Sequence, residues 1–238
     1  MPRDLRWAFL VLDEHPYGRE MLRELLDAGF APDLLIEERS EVAEVERAKF
    51  LVRMAGFPIA PTFDALLAGR DVRREAVGSH NDADCERLLR ELVPDLIVLG
   101  GTRILKPHIF APARLGTLNA HPGLLPEVRG SASVAWAIHL DEPIGCTCHF
   151  IDAGIDTGPI VGRRAIEVRP GDTYQKLCHA TVGLSAVLMR EALEALRDDT
   201  LVTTPQGEGR PAFRNMPDEQ VREVERKLAE GRYGHLVR

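Results

Sequence analysis

Asn119 and His121 stand two residues apart in Asn119-Ala120-His121, followed at once by Pro122-Gly123-Leu124-Leu125-Pro126-Glu127-Val128-Arg129-Gly130. At the end of a strand, alternate residues face one side, so an amide and an imidazole at this spacing project together. Two such groups aimed at one point hold a carbonyl oxygen as it becomes an oxyanion, which is what acyl transfer requires. Each residue has a plainer role when taken alone, because a single Asn is most often a turn former and a single His a satisfied polar side chain.

The elements that must carry this pair are legible as an alternation of strands and helices. Trp7 to Leu12 is an apolar run of strand length, followed by a helix over 18–28 with Met21, Leu22, Leu25 and Leu26 on one side and Gly29 as its stop. A short strand at 34–36 precedes a helix at 41–54, apolar at Val42, Val45, Phe50 and Leu51, and a further helix covers 82–92. Residues 95–99 are apolar on both faces and end in Gly100-Gly101, the mark of a central strand. The pattern predicts an α/β fold: a mostly parallel, doubly wound, Rossmann-like sheet with helices on both faces. Ligands in such sheets sit beyond the carboxyl ends of the strands, which puts Gly100-Gly101 and Asn119 to His121 on one rim.

Strands at 144–151 and 159–168 follow, with Asp152-Ala153-Gly154-Ile155-Asp156-Thr157-Gly158 as the loop between them, and 131–139 reads as a helix. Asp172 with Gln175 forms a capping-box pattern opening a long helix to about 196, and 218–230 is a terminal helix apolar at Val221, Val224 and Leu228. Residues 203–216 between them are a polar loop or short hairpin. The expected division is a catalytic domain over 1–200, with 201–238 a loop and helix packed on the same domain.

A net charge of −7 disfavours nucleic-acid and anionic-membrane partners. Four cysteines, at 85, 146, 148 and 178, have no disulfide-framework spacing and point to a reducing, cytoplasmic setting. No leader segment or apolar run of the roughly 20 residues needed for a spanning helix is evident. Cys146-Thr147-Cys148-His149 lacks the second ligand pair that structural zinc needs, so no metal is expected and the thiols read as small core residues. His149 is open between a core histidine and a support for the reactive pair.

Asn119-x-His121 with Leu-Leu-Pro-x-x-Arg-Gly, then His149 and Asp156 before Thr-Gly-Pro, resembles the folate-dependent formyltransferase family over about 94–161. The resemblance includes the catalytic domains of glycinamide ribonucleotide and methionyl-tRNA formyltransferases and implies their fold. It implies a catalytic set of Asn119, His121 and Asp156 and 10-formyltetrahydrofolate as formyl donor. Gly101, Arg103, Ile104 and Leu105 match the strand end and loop that hold the pteridine ring, and Leu125, Pro126 and Asp152 complete the implied donor pocket. In the implied mechanism Asn119 and His121 stabilise the oxyanion, while Asp156 supports the imidazolium and helps take the proton the amine loses.

The acceptor implied is a small-molecule amine: an amino sugar, an amino acid or a specialised metabolite. Leu12-Asp13-Glu14-His15-Pro16-Tyr17-Gly18 has two acids and one Gly where glycinamide ribonucleotide enzymes carry a Gly-rich phosphate cradle. Asp13, Glu14 and His15 read as solvated loop charges, with a cationic-acceptor site as the alternative. The stretch after Leu201 is too short and too mixed in charge to supply the basic domain of the methionyl-tRNA enzymes. Gly123, where many relatives have Ser, reads as a mild change. A hydrolase releasing formate and a catalytically silent folate-binding module are the alternatives, and the protein is expected to be a monomer or homodimer.

Overall fold

The computed structural model describes residues 5–237; residues 1–4, part of the stretch read for a leader, and Arg238 lie outside it. Strands β1 (Trp7–Leu12), β2 (Leu34–Glu38), β3 (Arg73–Val77), β4 (Leu96–Leu99), β5 (Gly116–His121), β6 (Gly145–Phe150) and β7 (Ile160–Ala165) form one sheet in the order β3-β2-β1-β4-β5-β6-β7. The pairs from β3 through β5 are parallel, and β6 and β7 add antiparallel at one edge. Every residue of β1, β2 and β4 is buried, as a parallel sheet covered on both faces demands.

Helices α1 (Pro16–Asp27) and α7 (Tyr174–Arg197) cover one face, packing on Phe9, Val98, Leu118 and Ala120. Helix α4 (Ala83–Leu92) and the short α5 (Pro107–Phe110) cover the other, over Leu10, Ile36, Ile97 and Leu99. Helix α1 begins earlier than its apolar pattern suggests: Pro16 occupies the first turn and the imidazole of buried His15 accepts from Tyr17 N–H. Gly18 lies inside the helix because a Cβ there would stand 2.3 Å from Val11 and 2.4 Å from the Gly100 carbonyl. The absent side chain lets the helix start touch the β4 end at the rim.

Helix α2 (Glu41–Arg53) forms where expected, yet only Ala43 on it is buried, and Val42, Val45 and Leu51 are exposed. The short α3 (Phe63–Leu67) is apolar at Phe63, Leu66 and Leu67 but too short to stand out as a helix, and the edge strand β3 has no apolar pattern in the sequence. β3 is recognised by its pairing with β2, where Arg74 binds the buried Glu37 carboxylate. The expected capping box at 172–175 is corrected: Thr173 caps α7, accepting from Lys176 N–H at 3.2 Å, while Asp172 accepts from Arg169 N–H and Gln175 donates to Glu225. Helix α6 (Ser133–Leu140) and helix α8 (Asp218–Ala229) join a second cluster with Val128, Val168 and Tyr233, into which α8 buries Val224 and Leu228.

Candidate active site

The β5–β6 register sets the site. Asn119 lies opposite His149 and His121 opposite Thr147, so these four residues share a sheet face, while Ala120 and Cys148 turn to the core under α7. Burial pushes the Cys146 and Cys148 thiols up to about 12, which keeps them protonated. Buried Tyr17 donates its phenol to the Ala120 carbonyl between Asn119 and His121, tying α1 to the carboxyl end of β5. Leu125 donates its N–H to Thr147 Oγ1 (3.1 Å), and that hydroxyl donates to the Gly123 carbonyl (2.8 Å). The turn after His121 is thereby fastened to β6.

Asp156 stands between two imidazoles: Oδ2 is 3.4 Å from His121 Nδ1 and Oδ1 is 3.5 Å from His149 Nε2. Gly130 N–H donates to Oδ2 at 2.8 Å. Burial works to raise the Asp156 pKa, but His121, the His149 hydrogen bond and the Gly130 N–H outweigh it and hold it at about 2. Burial lowers the His121 pKa, against the pull of Asp156 and the Val128 carbonyl.

The backbone assigns the tautomers. Val128 O, 2.8 Å from His121 Nε2, accepts the Nε2–H and leaves Nδ1 for Asp156. Phe150 O, 2.8 Å from His149 Nδ1, fixes a proton on that nitrogen of the other ring, whose Nε2 lies between Asn119 Nδ2 at 3.3 Å and Asp156 Oδ1 at 3.5 Å. His149 therefore supports the group from full burial. The Asn119 amide carries two N–H groups, of which at most one can go to that nitrogen. Ser133 Oγ lies 3.3 Å from His121 Nε2 and donates to Gly130 O at 3.1 Å.

Gly123 is not a mild change. A Cβ there would stand 2.7 Å from both His121 Nε2 and Val128 O, so this ring position needs glycine.

The residues matched to a donor pocket divide into two kinds. Gly101, at φ +90°, opens the loop after β4, and Asn81 fastens that loop by donating to Ile104 O (3.0 Å) and accepting from Lys106 N–H (2.7 Å). Arg103 is tied to buried Glu38 at 2.9 Å, Leu105 is buried, and Ile104 is 72% exposed. Leu125 is fully buried, with its carbonyl taken by Arg163 at 2.7 Å, and half-buried Pro126 follows it across a cis peptide bond. Asp152 closes its own loop, accepting from Gly154 N–H (3.0 Å) and Thr157 Oγ1 (2.5 Å).

Asp13, Glu14 and His15 are not solvated loop charges. Asp13 pairs with Arg39 and Arg47 at 3.1 and 2.8 Å, and Glu14 accepts from Phe63 N–H at 3.1 Å and pairs with Arg74. His15 is buried against Phe50. All three hold the rim together.

Ser133, Tyr17 and Asn81 are not singled out by the sequence because they act from separate segments, and Val128 and Gly130 lie within the motif after His121 but act through backbone groups.

A family model described as "Formyl transferase" matches residues 52–193, more than half of the chain. The chain belongs to the formyl transferase family. Among curated relatives, methionyl-tRNA formyltransferase of Parabacteroides distasonis is 35% identical over 213 residues, covering 86% of this chain and 60% of that protein. The enzyme of the same name from Koribacter versatilis is 33% identical over 156 residues, 65% of this chain and 50% of that protein. The chain thus spans about half the length of the curated relatives it matches.

Solved structures at lower identity share the fold. Phosphoribosylglycinamide formyltransferase from Anaplasma phagocytophilum superposes with a TM-score of 0.63 at 20% identity, over 89% of this chain and 100% of that one. The formyltransferase PseJ from Anoxybacillus kamchatkensis, solved with UDP-4,6-dideoxy-4-formamido-L-AltNAc and tetrahydrofolate, gives 0.56 at 19% identity over 96% and 95%.

Proposed function

We propose that this chain is an N-formyltransferase that moves the formyl group of 10-formyltetrahydrofolate to the amine of a small-molecule acceptor, an amino sugar, an amino acid or a specialised metabolite. The observation that carries this reading is the Asp156 carboxylate shared by His121 and His149 beside Asn119, at the rim of a formyl transferase family sheet.

The loop at 101–106 suits the donor. Exposed Ile104 offers apolar surface that a flat ring would cover, and Asn81 and Glu38 hold the loop in place.

In this reading Asn119 gives its second N–H to the formyl oxygen as the new C–N bond forms, and that oxygen gains charge. Asp156, with 15% of its side chain exposed against 5% for His121, is the group the attacking amine meets first. It takes the proton the amine loses and shares it with His121 Nδ1, 3.4 Å away. The imidazolium so formed faces an ionised Asp156 or turns from Val128 O toward the oxyanion, and either placement lowers the cost of the developing charge. As the donor C–N bond breaks, the same pair returns the proton to the departing nitrogen.

The formamido sugar in the PseJ structure supports an amine of this class. The curated relatives favour a second reading, in which the amine belongs to methionyl-tRNA. The net charge of −7 supports the small acceptor, because tRNA binding needs cationic surface.

The deciding experiment follows tetrahydrofolate release from 10-formyltetrahydrofolate without amine, with pooled small amines including nucleotide-linked amino sugars, and with methionyl-tRNA. Release with a small amine alone is expected. Release with methionyl-tRNA alone replaces the acceptor, and release without amine makes the protein a hydrolase. Tetrahydrofolate binding by calorimetry with no release anywhere leaves a silent folate-binding module.

A further inference from the structure

The polar stretch after α7 folds back over the site as a strap with two anchors. Thr204 exchanges backbone hydrogen bonds with Ile160 at the start of β7, both 2.8 Å. Phe213 donates its N–H to Arg129 O and accepts from Ser131 N–H, both 2.9 Å, which places it against Gly130.

Between the anchors, Gln206 reaches the loop that carries Asp156. Its Nε2 donates to the backbone carbonyls of Asp156 (3.0 Å) and Gly158 (2.7 Å). Its Oε1 accepts from Arg129 Nη2 at 2.9 Å, so each hydrogen-bonding end of the amide is engaged.

The loop needs such a hold. Asp156 has φ +53°, a left-handed conformation that costs an L-residue with a Cβ about 1–2 kcal/mol. Strain of this kind persists only where the surroundings over-determine it. Here the strap grips Asp156 at both ends: Gln206 takes its carbonyl, and Gly130, pinned by Phe213, donates to its carboxylate.

We propose that Gln206 is a positioning residue: its two donated hydrogen bonds hold the Asp156 backbone in the left-handed conformation that aims the carboxylate between His121 and His149, making the segment at 204–213 part of the site. The inference rests on reading Asp156 as a member of the reactive set.

The test compares Gln206→Ala with Gln206→Glu, which keeps an acceptor for Arg129 but has no N–H to give. Hydrogen exchange of the peptide covering 152–158 and steady-state kinetics with an accepted amine are measured, with thermal unfolding as the control. In both variants the peptide exchanges about tenfold faster or more. kcat falls roughly ten- to a hundredfold, since misplacing a catalytic group by about 1 Å is worth that much, and KM for the donor stays within about threefold.

Unchanged exchange in Gln206→Glu overturns the proposal even if Gln206→Ala is impaired, because the Arg129 contact then suffices. So does a kcat loss that appears only where global unfolding has moved into the assay temperature. Should the parent protein transfer no formyl group, exchange alone decides: faster exchange upholds the positioning role and locates the failure in the function reading, and unchanged exchange overturns it.

Discussion

His121 is held at both ring nitrogens, one facing Val128 O and the other Asp156. Asn119 is the opposite case: half-buried, with one side-chain contact, to His149, and an N–H to spare. Asn119→Ala should therefore lower kcat by about 10²–10³, the usual cost of an oxyanion donor, and leave the melting temperature within about 2 °C; kinetics and calorimetry on one preparation check both. Gly123→Ala acts differently. Its new methyl stands 2.7 Å from His121 Nε2 and from Val128 O, so the ring must leave its place or the carbonyl must shift. Activity should fall, and overpacking should cost about 1–3 kcal/mol in urea unfolding. Unaltered kcat in Gly123→Ala would show that the ring position is not the reactive one. Asn119, His121 and Asp156 were legible because their side chains carry the pattern. Gln206 was not, since it lies 50 residues from Asp156 and binds its backbone.

At the scale of elements, buried strands announced themselves and half-exposed ones did not. β1 and β4 are apolar on both faces, whereas β3 reads Arg73-Arg74-Glu75-Ala76-Val77 and becomes a strand through β2 and the Arg74–Glu37 pair. Charged side chains suit it as an edge, where they discourage pairing with another chain. Helix α2 shows the converse: its periodicity gave a true helix, but periodicity does not say which face a neighbour will cover. The α4 terminus holds a correctable defect. Val93 caps it at φ +51°, donating to Leu89 O, in a conformation that penalises a β-branched residue and favours glycine. It is 60% exposed, so little packing is lost on replacement. Val93→Gly should raise stability by about 0.5–1 kcal/mol, seen as a rise of about 1–4 °C in melting temperature with unchanged activity.

The whole molecule buries His15, His80 and His121, and burial is the largest influence lowering the pKa of each. Their common consequence is acid sensitivity at a pH set by histidine rather than by carboxylates. For His15 the folded value is about 4 against 6.5 for the free group, set by burial and then by the charges of Arg53 and Arg47. The unfolded chain therefore binds the proton first as pH falls. The contribution is fully present above 6.5 and is lost progressively between 6.5 and 4. Its full size is roughly 3 kcal/mol for this one group. Asp156 titrates in a lower range: held at about 2 against an ordinary 3.8, it adds stability above 3.8 and loses it progressively as pH falls from 3.8 through 2. Melting temperature should thus begin to drop just below pH 6.5, well before carboxylates titrate. His15→Asn separates the His15 share, because Asn still accepts from Tyr17 N–H at the start of α1 but carries no titrating group. The variant should start lower near pH 8, having lost the ring's packing on Phe50, and show a shallower fall between pH 6.5 and 5; an identical slope would place the acid sensitivity in His80 and His121 instead.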